Sequence, residues 1–194
     1  MGNGCCHRTE ISPELLEQVT QELKQKPMGN VFTQQEIRRL YRRFKKIDRE
    51  DTDSISTDNF LSIAELSLNP LIMRLISLFD QRGDDNITFV EFVSTLSVFH
   101  PKAPIEEKMR FCFRIYDIDD SGHISQTEMF QVLKQVVGNN LDDAGLEQIV
   151  IKTFEEAGAL EDDRLSFKAF CQVCCLLLCI FALSISNLCN GNGS

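Results

Sequence analysis

The chain has 194 residues, and its 20 Lys and Arg against 29 Asp and Glu give a formal net charge of -9 at pH 7. This acidic balance argues against nucleic acid as a partner and favours divalent cations or basic peptides. Hydrophobic residues make up 43% of the chain, including 14 Phe, which is enough to build a core. The composition indicates a globular protein of one domain or two small lobes.

The N-terminal segment begins MGNGCC, so removal of Met1 exposes Gly2 close to Cys5 and Cys6. Gly2 is a candidate for N-myristoylation, although the usual Ser or Thr at position 6 is Cys6. Cys5 and Cys6 are candidates for palmitoylation, and two acyl signals anchor a protein stably where one does not. The alternative is unmodified free thiols. With no secretory signal, we expect a cytoplasmic protein that lies partly at the cytoplasmic face of a membrane.

Four loops align along the chain, beginning at Asp48, Asp80, Asp117 and Gly158, with spacings of 32, 37 and 41 residues. Apolar residues at helical spacing precede and follow the loops, least regularly around the first, so the repeat predicts four helix-loop-helix units. Loop position 8 is apolar in every copy, where it is Ile55, Ile87, Ile124 or Leu165. This register predicts that the two loops of a pair meet in a short antiparallel bridge.

The segment HPKAPIEEK, which follows the second unit, contains two prolines and predicts a break between two lobes. Upstream, the cap-like Ser12 followed by Pro13 predicts a short helix within an N-terminal arm. The predicted organisation is an acylated arm over 1–33, a first lobe over 34–99, a linker over 100–107, a second lobe over 108–178 and an apolar tail over 179–194.

The third loop, DIDDSGHISQTE, has every part of a calcium site. Such a loop uses oxygen ligands at positions 1, 3, 5, 7, 9 and 12, with a turning Gly at position 6 and a bidentate Glu at position 12. Gly122 makes the turn, and Ser125 at position 9 can hold a water. The predicted calcium ligands are Asp117, Asp119, Ser121, the backbone carbonyl of His123, and Glu128. The alternatives are an acidic surface loop and a zinc site that uses the His123 imidazole.

The other three loops depart from this pattern. In the first, Asp53 replaces the Gly and Asn59 replaces the closing Glu. In the second, the closing Glu91 is present but Arg82 places a cation at position 3. The fourth, GALEDDRLSFKA, has no ligand at positions 1, 3 or 12. We therefore predict one calcium site and three structural loops, with weak binding by the first loop left open.

The C-terminal segment from Ala169 to Ser194 carries no charge. If the stripe of the fourth unit's outgoing helix extends to Leu177, only about eleven apolar-rich residues remain, from Leu178 to Leu188, fewer than the roughly 20 that a membrane span needs. We expect a tail that covers the groove of its own lobe or lies on a membrane, with a membrane span as the alternative.

The runs RRFKKID, NPLIMRLISLFD, MRFCFRIYDIDDSGHIS and FQVLKQVVGNNL resemble the calcineurin B group of EF-hand proteins. This group contains the regulatory subunit of the calcium-dependent phosphatase calcineurin and the calcineurin-B-homologous proteins. The last two runs look most like the phosphatase subunit, whereas YRRF, AELSLNP and the weakened first two loops look more like the homologous proteins. The resemblance covers about residues 34 to 175 and implies an all-α fold with four EF-hands in two paired lobes.

The resemblance also implies a groove that binds an amphipathic helix of a target, which would be a phosphatase catalytic subunit, an ion exchanger or a kinase. The expected function is that of a calcium-binding regulatory subunit. The alternative is a cofactor of an ion exchanger, or a constitutive membrane-associated adaptor with a structural calcium. No nucleophile-base pair or phosphate loop is evident in the sequence, so we do not expect an enzyme.

Overall fold

The computed structural model describes residues 10–63 and 69–173, which are mainly α-helical. The predicted acylation residues Gly2, Cys5 and Cys6 lie outside the described residues, as does the tail predicted over 179–194. Contacts divide the described chain into two units. The first contains residues 10–63 and 76–104, and the second contains residues 69–75 and 105–173.

The helices and short strands alternate in the order that four helix-loop-helix units require. From the N-terminus they are α1 (Pro13–Gln25), α2 (Gln34–Ile47), β1 (Ser54–Ser56), α3 (Thr57–Leu61), α4 (Ile72–Phe79), β2 (Asn86–Thr88) and α5 (Phe89–Leu96), which continues as a 3-10 turn (Ser97–Phe99). The second half contains α6 (Ile105–Tyr116), β3 (His123–Ile124), α7 (Gln126–Val137), a 3-10 turn (Gly138–Asn140), α8 (Asp143–Glu156), β4 (Leu165–Ser166) and α9 (Phe167–Val173).

Each unit contains one two-stranded antiparallel bridge. β1 pairs with β2 so that Ile55 lies opposite Ile87, and β3 pairs with β4 so that Ile124 lies opposite Leu165. All four side chains are buried. These are the apolar residues at loop position 8, and each bridge joins the two loops of one pair as their register predicts.

Three helices begin at reciprocal caps that their sequences specify. Thr33 caps α2 with Glu36, and Thr88 caps α5 with Glu91. Ser125 and Glu128 form the same arrangement at the start of α7. In each pair the hydroxyl accepts from the backbone N–H three residues later, and the carboxylate accepts from the backbone N–H of the capping residue. In the second and third loops, these two residues stand at loop positions 9 and 12.

Aromatic rings fill the core of each unit. In the first, Phe44 and Phe79 each contact Phe92, with ring centroids 5.7 and 6.0 Å apart. In the second, Phe170 lies 5.4 Å from Phe113 and 5.8 Å from Tyr116. These residues come from the incoming and outgoing helical stripes of the repeat, which therefore form the core.

Two details differ from the sequence-based expectations. The helix predicted in the N-terminal arm, α1, packs against α5 and buries Leu16, Val19 and Leu23, so it adds to the core of the first unit. Helix α6 begins at Ile105, within the segment predicted as a linker, because Pro104 stands directly before the first turn, where its missing N–H costs no helical hydrogen bond. Among the described residues, no helix combines the length and apolarity that a membrane crossing requires.

The packing of α1 can be tested by truncating Leu23, which is only 1% exposed. We expect Leu23→Ala to lower the free energy of unfolding by about 2–4 kcal/mol, because it leaves a cavity in the core. Urea unfolding followed by circular dichroism measures the change. Gln18→Ala, at an exposed position of the same helix, is the control and should change stability by less than about 0.5 kcal/mol. Equal effects of the two substitutions would show that α1 does not pack as described.

Candidate calcium-binding site

The third loop joins α6 to α7 and turns sharply at Gly122, whose φ of 81° lies in the left-handed region. Glycine adopts this conformation without steric cost. The turn reverses the chain so that residues from the start and the end of the loop come together. The carboxylate oxygens of Asp117, Asp119 and Glu128 lie within 4.8 Å of one another.

Asp117 occupies loop position 1 and is buried. Its two carboxylate oxygens accept hydrogen bonds from the backbone N–H groups of Ser121 and Gly122, at 2.9 and 3.0 Å. These bonds fix the carboxylate at the base of the loop. Asp119, at position 3, also accepts from the N–H of Ser121, at 3.0 Å.

Glu128 connects the two ends of the loop. Its Oε1 accepts from the N–H groups of Ile118 and Asp119, at 2.8 and 3.2 Å. Its Oε2 accepts from the N–H and the hydroxyl of Ser125, at 2.9 and 2.8 Å. Glu128 belongs to the first turn of α7, so these hydrogen bonds connect the N-terminal end of this helix to the start of the loop.

Ser121 and His123 place two further oxygens beside each other. The Ser121 hydroxyl donates to the backbone carbonyl of His123 at 3.0 Å. The His123 imidazole contacts a different residue, since its Nδ1 lies 3.2 Å from Nη2 of Arg164. The guanidinium beside the ring disfavours a zinc ion there, whereas the carbonyl lies next to a hydroxyl of the loop. This arrangement suits the predicted role of His123 as a carbonyl ligand.

The electrostatics of the loop favour a divalent cation. Burial raises the pKa of Asp117, and the nearby carboxylates of Glu128 and Asp120 raise it further, against the N–H groups of Gly122 and Ser121. Hydrogen bonds from Ser121 lower the pKa of Asp119. Crowded carboxylates that include a buried member repel each other, and hard oxygen donors of this kind fit calcium. The five predicted ligand residues therefore form a donor set that matches this ion.

The fourth loop supports the third although it lacks ligands. Besides the bridge between β3 and β4, the carboxylate of Asp163 in the fourth loop accepts from the N–H of Gln126 at 2.7 Å. This N–H belongs to the first turn of α7, where four donors lack partners within the helix. The fourth loop thus stabilises the helix that carries Glu128.

Arg74 is a residue near the third loop that the ligand pattern did not indicate. It lies in the segment 69–75 of the same unit, and its Nη2 donates to the backbone carbonyls of Arg114 and Asp117, at 2.5 Å each. These carbonyls end α6, where a positive charge complements the helix dipole. A contact between side chain and backbone across 40 or 43 residues leaves no periodic signal in the sequence.

Comparison with known proteins agrees with this geometry. A family model for an EF-hand domain pair matches residues 106–175. The chain is 48% identical over 150 residues to the calcineurin B subunit of Naegleria gruberi, an alignment that covers 77% of this chain and 85% of that protein. It is 46% identical over 146 residues to the type 2 calcineurin B subunit of Homo sapiens, covering 75% and 86% of the two chains.

The chain belongs to the calcineurin B family of regulatory subunits. A third relative, the type 1 calcineurin B subunit of Dictyostelium discoideum, is 46% identical over 150 residues, which cover 77% of this chain and 83% of that protein. The resemblance to the calcineurin B group and the predicted all-α EF-hand fold are confirmed. Assignment of individual calcium ligands stays a prediction, which the geometry of the third loop supports.

The first loop also gathers acidic groups, since carboxylate oxygens of Asp48, Asp51 and Asp53 lie within 4.8 Å of one another. In this loop a protein cation lies among the three carboxylates. Nζ of Lys45 lies 3.0, 2.7 and 2.7 Å from these three carboxylates, and its side chain is only 8% exposed. Any calcium at this loop would have to displace the ammonium group, which argues against tight binding.

The number of charged ligands in the third loop can be raised by substitution at position 5. We expect Ser121→Asp to bind calcium about tenfold more tightly, because affinity in such loops depends on ligand charge. Calorimetric titration with calcium measures the change. The control is Thr127→Asp, which adds the same charge at exposed position 11, where no ligand is expected. If the two variants gain affinity equally, position 5 does not act as a ligand.

Proposed function

We propose that the chain is a calcium-binding regulatory subunit that binds an amphipathic helix of a phosphatase catalytic subunit of the calcineurin type. The observation that carries this proposal is the convergence of Asp117, Asp119 and Glu128 in the third loop of a protein that belongs to the calcineurin B family. Under this proposal the chain regulates a partner and has no catalytic activity of its own.

Calcium would be held by the side chains of Asp117, Asp119, Ser121 and Glu128 and by the carbonyl of His123. The ion supplies the positive charge that offsets the repulsion between these carboxylates. Glu128 then matters most for regulation, because it bonds both to the start of the loop and to the cap of α7. A change in its partners at the loop changes the position of α7, and helix positions define the groove of an EF-hand pair.

A cleft in the second unit supports the proposal that this unit binds a helix. A cleft of about 360 Å³ is lined in part by Phe130 of α7 and by Val150 and Ile151 of α8. Of these residues, Ile151 is 42% exposed and can contact a bound segment. An amphipathic helix buries residues of this kind when it binds to a groove.

We also propose that the protein is cytoplasmic and partly bound to the cytoplasmic face of a membrane through acylation. The support is the sequence MGNGCC, in which Gly2, Cys5 and Cys6 are the acceptor residues. The proposed organisation is an arm over 1–33, lobes over 34–99 and 108–178 joined by a linker over 100–107, and a tail over 179–194. In this organisation α1 of the arm packs on the first lobe, and the linker includes the start of α6 at Ile105.

A second candidate function is that of a constitutive adaptor, or of a cofactor of an ion exchanger, in which one calcium ion stabilises the fold without exchange. The observation that favours it is the Lys45 ammonium within the acidic first loop. A loop that already contains a positive charge has less need of calcium to hold its conformation.

Glu128→Gln separates the two candidates. The amide retains the capping interaction but removes the charged bidentate ligand, so we expect the third loop to lose calcium binding. For a regulatory subunit, the variant should also lose the calcium-dependent gain in affinity for a peptide that contains the B-subunit-binding helix of a calcineurin catalytic subunit. Calorimetry with calcium, and fluorescence anisotropy with the labelled peptide, measure the two effects.

Glu156→Gln, an exposed substitution at the end of α8, serves as the control and should behave like the unmodified protein. Peptide affinity that is the same with and without calcium, in both the unmodified protein and Glu128→Gln, would favour the adaptor. No calcium binding by the unmodified protein would contradict both candidates.

A further inference from the structure

The second loop contains a guanidinium group among the atoms that a calcium loop offers to its ion. Nη2 of Arg82 lies 3.0 Å from Oδ2 of Asp84 and 3.3 Å from the carbonyl oxygen of Asn86. Nε of Arg82 lies 3.3 Å from Oε1 of Glu91. Asp84, Asn86 and Glu91 are loop positions 5, 7 and 12, which supply a side-chain oxygen, a backbone carbonyl and the closing carboxylate in a calcium loop.

Several backbone features of the second loop correspond to those of the third. Asp80 at position 1 accepts from the N–H groups of Asp84 and Asp85, at 3.3 and 2.8 Å, as Asp117 does from the two corresponding residues. Asp85 at position 6 has a φ of 60° and makes the turn that Gly122 makes in the third loop. The cap of Thr88 and Glu91 corresponds to that of Ser125 and Glu128. The loops differ at position 3, where Arg82 replaces an acidic ligand, and at position 12. Oε1 of Glu91 pairs with Arg82, whereas Oε1 of Glu128 accepts from the backbone N–H groups of Ile118 and Asp119.

We propose that Arg82 acts as a built-in cation, which occupies the place of calcium in the second loop and keeps a latent calcium site closed. It does so in two ways. The positive charge of Arg82 repels a calcium ion, and its side chain leaves position 3 without an oxygen ligand. The side chain of Arg82 is 52% exposed, so its ion pairs are weak and its main effect is exclusion of the metal. This inference concerns the first unit and does not depend on the proposed regulatory function.

The first loop also contains a basic side chain, but it lacks a ligand that a calcium site needs. Lys45 pairs with Asp48, Asp51 and Asp53, but position 12 of this loop is Asn59, which cannot supply a bidentate carboxylate. The second loop retains Glu91, so it alone in the first unit needs only one ligand to complete the set. Arg82 is thus the residue that sets the number of calcium ions bound.

The inference predicts that Arg82→Asp gains a calcium site in the full-length chain. Calorimetric titration should change from one calcium ion to two, with the second affinity within about tenfold of the first. Gln81→Asp, which adds an acidic residue at non-ligand position 2, should still bind one. Adding Glu91→Gln to the Arg82→Asp variant should abolish the second binding event, whereas adding Glu128→Gln should leave that event and abolish the other.

Arg82→Asn, which offers a neutral oxygen at position 3, provides a second test and should gain a weaker site. Circular dichroism in the presence of a chelator shows whether each variant is folded. One calcium ion bound by both folded Arg82 variants would overturn the inference. A second site that also appears in Gln81→Asp would overturn it as well, because added negative charge alone would then account for the gain.

Discussion

The antiparallel bridge between paired loops is the constraint on which the rest of the structure depends. Ile55 opposite Ile87, and Ile124 opposite Leu165, are buried at the point where each unit joins its two loops. A loop can lose every metal ligand and still complete this bridge, because the pairing uses backbone atoms and one apolar side chain. This accounts for the retention of a fourth loop without ligands beside the third.

The closing carboxylate of the second and third loops also contributes to the fold independently of metal binding. Glu91 and Glu128 each cap an outgoing helix, so position 12 has a structural role before any metal is considered. The loops differ in whether a side-chain cation lies among their carboxylates. Lys45 lies there in the first loop and Arg82 in the second, whereas Asp117, Asp119 and Glu128 of the third loop form an acidic cluster that suits calcium.

Much of this arrangement could be predicted from the sequence, because it follows from local periodicity. The helical stripes, the apolar residue at position 8 and the ligand pattern around Gly122 are all spaced by fixed numbers of residues. Contacts that lack such spacing were not predicted. Lys45 lies three residues before its loop, and Arg74 reaches backbone carbonyls that have no sequence signature. Packing of α1 was missed because its apolar stripe is narrow and its partner is distant in the chain.

These charges predict that the two units respond differently to calcium. A loop whose acidic residues are already paired gains little from an added ion, since the ion must first displace an ammonium or guanidinium group. A loop whose carboxylates repel each other gains the full stabilisation that binding provides. Differential binding free energy is what allows a ligand to shift a conformation. Under the proposed function, calcium would therefore act mainly on the second unit, through Asp117 to Glu128, because that cluster is the one that suits the ion.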